Sequence, residues 1–149
     1  MKKLILTFWM CFFALSMSAQ TYIDLGLPSG TKWATTNVET YFTYEQAVLK
    51  FGNALPTIGQ WEELSDYCNW TWTGRGYKVV GPNNKSIFLP AAGWYSDGIL
   101  QNEGKAGVYC SSSRKDSEWS KSMYINEEKY GTGGCSPNYG KSVRLVSTY

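Results

Sequence analysis

The sequence predicts an α+β domain in which two short helices come first and a run of antiparallel strands follows. Two observations carry this prediction. Helical spacing of apolar residues is confined to two stretches ahead of Trp70. Beyond Trp70 it gives way to short β-rich runs separated by Gly-, Ser- and Asn-rich turns, with no internal repeat and no low-complexity linker. Helices followed by consecutive strands read as α+β rather than as an alternating parallel fold.

In chain order, MKKLILTFWMCFFALSMSAQ joins a basic start, Lys2 and Lys3, to an apolar stretch from Leu4 to Leu15 and small residues from Ser16 to Ala19. This reads as a secretory signal peptide over residues 1–19, cleaved after Ala19 or Ser18. The apolar run falls short of the roughly 20 residues a membrane helix needs, so no membrane span is expected after cleavage. Residues 20–149 then form a single domain. TYIDLGLPSGTKWATTNV offers two short strand candidates around a PSG turn. In YFTYEQAVLKFG, Phe42, Ala47, Val48 and Phe51 fall at helical spacing, and Gly52 is the stop. In LPTIGQWEELSDYC, Thr57 is the N-cap and Gln60 completes a capping box. Trp61, Leu64 and Cys68 form the apolar face of that helix. Glu62 and Glu63 fall in its early turns, where the helix dipole favours acids, and read as a solvated start rather than a catalytic pair. GYKVV and KSIFLPAAGWY flank GPNN as a hairpin; AGVYCSSS, KSMYIN and KSVRLV are further strands.

Composition excludes several functions. Removing Lys2 and Lys3 leaves 12 basic against 12 acidic residues, so the basic stripe that a nucleic acid requires is absent. The chain has no histidine, which excludes Cys/His zinc sites and His-based triads. Within GVYCSSSRK, strand alternation places Cys110 and Ser112 on one face and Tyr109, Ser111 and Ser113 on the other, so the apparent nucleophile cluster divides. No enzyme activity and no cofactor are expected. Calcium recognition needs clustered hard oxygen ligands, and the nearest fragments, Ser136-Pro137-Asn138 and Trp119-Ser120-Lys121, carry no acid.

Taken together, YIDLGLPSGTKWATTNV, LPTIGQWEEL, CNWTWT, GYKVVGPNNKSIFLPAAGW and GKSVRLV resemble the Fibrobacter succinogenes major paralogous domain family of exported bacterial proteins. The resemblance implies a C-type-lectin-like fold, distantly related to formylglycine-generating-enzyme-type domains: two short helices packed on a twisted antiparallel sheet, with neighbouring termini. It implies a secreted or cell-surface (periplasmic or exposed) location and a non-enzymatic domain that shows C-terminal loop residues to a protein or glycan. A structural subunit or tip component of a surface assembly is the alternative. By analogy with lectin-like display proteins the ligand-binding residues are Tyr109, Arg114, Trp119, Tyr124, Tyr130, Asn138 and Tyr139, since Tyr and Trp give rigid contact area and Asn adapts its hydrogen bonds. Lectin-like folds also imply a disulfide between Cys110 and Cys135, the alternative being two small buried residues.

Overall fold

A computed structural model describes residues 20–149; the expected signal peptide lies outside the described residues. Two strands, β1 (Tyr22–Asp24) and β2 (Lys32–Ala34), precede the helices α1 (Tyr44–Phe51) and α2 (Ile58–Tyr67). Then come β3 (Asn69–Trp72), β4 (Gly76–Val80), β5 (Ser86–Pro90), β6 (Trp94–Ser96) and β7 (Ile99–Gln101). The chain ends with β8 (Ala106–Arg114), β9 (Ser120–Asn126), β10 (Tyr130–Cys135) and β11 (Val146–Ser147). The fold is α+β, and its strands pair antiparallel in four small sheets: β1-β2-β11, β3-β4-β5, β6-β7 and β10-β9-β8. The first and last strands flank β2, so the two ends of the described chain share one sheet.

Local signals explain the helices. Thr57 accepts from the Gln60 backbone N–H while Gln60 Oε1 accepts from Thr57 N at 2.9 Å, the capping box expected from the sequence. Thr43 and Gln46 form a second box in TYEQ, a local signal beside the apolar spacing of α1. Trp61, Leu64 and Cys68 are buried as expected. Trp61 packs against Trp33 and Tyr109, with ring centroids at 4.6 and 5.3 Å. Its Nε1–H donates to Cys110 O at 3.0 Å, tying α2 to β8. Glu62 and Glu63 diverge: Glu63 accepts from Ser29 Oγ at 2.6 Å, while Glu62 accepts from Thr132 Oγ1 at 3.4 Å.

Three expectations are corrected. KSVRLV is mostly not a strand, because only Val146 enters a ladder. Lys141 to Leu145 instead run buried between several neighbours: Lys141 N donates to Phe42 O, Ser142 N to Val108 O, and Ser142 O accepts from Cys110 N. Inside this segment the Arg144 guanidinium, 1 % exposed, donates to Asn37 Oδ1 at 2.7 Å, Ala34 O at 3.0 Å and Phe88 O. Secondly, Tyr109 is not on the surface: it is fully buried, donates to Pro90 O at 2.6 Å and accepts from Asn37 Nδ2 at 3.0 Å. Its strand is covered on both faces, so alternation no longer separates inside from outside.

Thirdly, Cys68, Cys110 and Cys135 are free, buried thiols, and the Cys110–Cys135 disulfide is absent. Cys110 lies on β8 and Cys135 on β10, with β9 between them. Strands spaced about 4.8 Å apart hold such backbones at least ~9 Å apart, beyond the roughly 7 Å limit for a disulfide. Burial pushes the Cys110 thiol up from 9.0 to about 12, partly offset by the positive charge of Lys141, and burial pushes Cys68 up to about 11. Both thiols are therefore neutral in the fold at pH 8 and should resist iodoacetamide until the chain unfolds. The same shift has a stability sign. Between pH 9 and 12 the unfolded chain releases the Cys110 proton and the folded chain keeps it, so stability falls as pH rises. Burial raises the Tyr109 hydroxyl from 10.0 to about 12 and steepens the fall above pH 10. Thermal melts should drop through this window, and less steeply for Cys110→Ala; a flat profile would contradict the buried protonated thiol.

Candidate functional site: a groove along β10

β10 reads YGTGGC and pairs with β9 from Tyr130 opposite Ile125 to Cys135 opposite Ser120. The opposite edge of this sheet, β8, is covered by parallel bridges from Tyr109 to Ser142 and Gly107 to Gly93. Among the described residues β10 forms a ladder with β9 alone; on its outer side Gly134 O accepts from Tyr124 Oη, while the Tyr130 and Thr132 backbone groups have no partner strand. Two clefts flank it and meet at Thr132. The first, about 400 Å³, is lined by Tyr124, Asn126, Lys129 and Tyr130 to Thr132. The second, about 390 Å³, is lined by Ile58 and Glu62 of α2, Lys115 and Lys121 of the β8–β9 hairpin, and Thr132 to Gly134.

Packing fixes the side chains at each end. Tyr130, 37 % exposed, stacks on Trp70 with centroids 4.2 Å apart and planes within 8°. Trp70 is itself anchored through Nε1–H to Leu64 O at 3.0 Å and braced edge-on by Tyr77. Asn126 Oδ1 accepts from the backbone N–H of Glu128 and Lys129, both at 2.9 Å, which closes the turn presenting Lys129. At the other end Asp116 Oδ1 accepts from Glu118 N and Trp119 N, both at 2.8 Å, and holds the hairpin tip. Such prior ordering lowers the entropy lost when a ligand binds.

The sequence-derived residues fall into groups. Arg114 is exposed, with its guanidinium 4.5 Å from the Tyr44 ring centre, and Trp119 is 46 % exposed at the same hairpin end. Exposed Asn138 and half-buried Tyr139 follow Cys135, which lies opposite Ser120, so they belong to that end too. Tyr130 lies opposite Ile125, about 17 Å further along β9 at ~3.4 Å per residue. Tyr124 is half-buried, lines the first cleft and donates to Gly134 O at 2.6 Å; burial raises its hydroxyl pKa, and the neighbouring Cys135 raises it further. The β10 edge spans the distance between these groups. Lys115, Lys121, Lys129, Thr132 and the glycines of β10 were not singled out from sequence, although the glycine-rich YGTGG run was a visible signal.

Among the described residues no group of three His, Cys, Asp or Glu is placed to hold a metal, and no helix is long and apolar enough to cross a membrane. No family model matches the chain, and the searches of curated proteins and of solved structures also return no match.

Proposed function

We propose that the protein is an exported, non-enzymatic binding domain that takes a protein or glycan ligand of a cell surface along β10. The leader-like start and the ordered motifs that resemble the Fibrobacter succinogenes major paralogous domain family support this reading, and with it a C-type-lectin-like fold. The observation that carries it is the pair of clefts meeting at Thr132, with the packed Tyr130 plate at one end and lysines at the other. Rigid aromatic anchors bordered by polar groups are the usual composition of a recognition surface. The β10 edge, which has no partner strand beyond β9 among the described residues, also favours the second reading, a subunit of a surface assembly, because unpaired edges join chains.

The test is binding of the purified protein to a broad glycan array and to extracted surface proteins, with calcium and then with a chelator. Chelator-resistant binding that weakens roughly tenfold or more in Tyr130→Ala or Trp119→Ala is the expected result. Binding that ignores both substitutions would remove the β10 groove as the site. Calcium-dependent binding would overturn the exclusion of calcium recognition.

A further inference from the structure

We propose that β10 receives an acidic, extended polypeptide segment of a partner protein, which adds to the sheet as a new strand and places its side chains in the two clefts. The proposal rests on the reading of the β10 groove as the binding site and names its ligand class.

The glycines of β10 supply the first argument. At several other positions glycine has an internal cause. A Cβ on Gly76 would lie 2.3 Å from Leu89 O, one on Gly81 2.1 Å from Leu25 O, and one on Gly93 2.1 Å from Gln101 O. Nothing comparable holds in β10. Gly131 faces open space, Gly134 would meet only the flexible Lys115 side chain at 3.4 Å, and Gly133 would make an ordinary 3.5 Å contact with the Tyr124 ring. None of the three has a positive φ. Glycine weakens a strand, and in strand interiors it often marks close approach of a ligand or another backbone. Gly131 lines the first cleft and Gly134 the second, so the missing side chains are the space an incoming chain would use.

The second argument is the chemistry of the edge. An edge strand presents alternating N–H and C=O groups at the repeat of another strand, which a peptide matches directly; in β10 these are the groups of Tyr130 and Thr132, since Gly134 O already accepts from Tyr124. A glycan would draw mainly on stacking, and the groove offers that at the Tyr130 end only. The third argument is charge. Lys129 at the first cleft is flanked by exposed Glu127 and Glu128, whereas Lys115 and Lys121 line the second cleft opposite Glu62, with Asp116 turned into the hairpin tip by its bonds to Glu118 N and Trp119 N. The lysine pair favours an acidic side chain of the incoming strand at the second cleft.

The test is selection of a displayed random decapeptide library against the purified protein. Enriched peptides should alternate β-formers with acidic residues, and N-methylation of a central backbone amide should abolish their binding. Gly131→Thr should leave the unfolding midpoint unchanged or raise it, yet weaken the selected peptides at least tenfold by filling the first cleft. The pair Lys115→Glu and Lys121→Glu should shift selection from acidic to basic peptides. Peptides that tolerate N-methylation, or bind Gly131→Thr as well as the parent, would overturn strand addition. Failure to enrich any peptide, alongside Tyr130-dependent glycan binding, would overturn this proposal while leaving the binding site intact. Failure of both peptides and surface extracts to bind would sink the site reading as well.

Discussion

Arg144→Met should destabilise the fold by about 3–5 kcal/mol, lowering the thermal midpoint by roughly 10–20 °C. The guanidinium is buried without a carboxylate partner, and its hydrogen bonds end on Asn37 Oδ1, Ala34 O and Phe88 O. Those acceptors belong to the loop after β2, to β2 itself and to β5, so one side chain joins three parts of the chain. Burial lowers its pKa, and the neighbouring Tyr109 hydroxyl opposes that shift. A buried charge is often replaceable by apolar volume when its partners leave with it. Here the partners remain: an unmet buried acceptor costs about 1–3 kcal/mol, and methionine satisfies none of them. Arg144→Lys should rescue little, because a single ammonium cannot reproduce the planar fork. Urea unfolding of both variants measures this. A loss below about 1 kcal/mol for Arg144→Met would mean that water satisfies the freed acceptors and that the network is not structural.

The contrast between what was legible and what was not has a physical cause. Both helices announced themselves locally, α2 through Thr57 and Gln60 and α1 through Gly52 and its apolar spacing, because capping and periodicity depend on residues a few positions apart. The β4–β5 hairpin was likewise readable from GPNN. Tyr109 and the cysteines depend instead on which strand lies between which others. From Gly107 to Ser111 every residue of β8 is buried, so a period of two carries no information there about the surface. The resemblance to lectin-like folds implies a Cys110–Cys135 pair; the insertion of β9 between them forbids it.

The site divides along the same line. Trp119 and Tyr130 were recognisable as aromatic residues in polar surroundings, and both are substantially exposed. The glycine-rich run of β10 was visible as composition, but neither it nor the lysines announce an edge, since a strand becomes one only when the whole sheet is assembled. The plate under Tyr130 is equally non-local: Trp70 comes from β3, in a different sheet. Side chains that anchor a ligand were therefore partly visible, whereas the backbone that shapes the groove was not.

Trp61→Ala should cost about 3–5 kcal/mol, a large share of the roughly 5–15 kcal/mol that holds an ordinary domain folded. It would empty a fully buried site between Trp33 and Tyr109 and leave Cys110 O without its donor. Because α2 supplies Ile58 and Glu62 to the second cleft, ligand binding at β10 should weaken along with the fold. The sharper comparison is between Trp61→Phe and Trp33→Phe. Both tryptophans are fully buried and lose similar volume. Only Trp61 has a hydrogen-bonded ring nitrogen; Trp33 Nε1 is buried with no partner. Trp61→Phe gives up a hydrogen bond and strands a carbonyl, whereas Trp33→Phe removes an unsatisfied donor. The first should therefore be more destabilising than the second by about 1–3 kcal/mol in urea unfolding. Equal losses would show that volume alone governs this part of the core and that the Trp61–Cys110 bond does not hold α2 against β8.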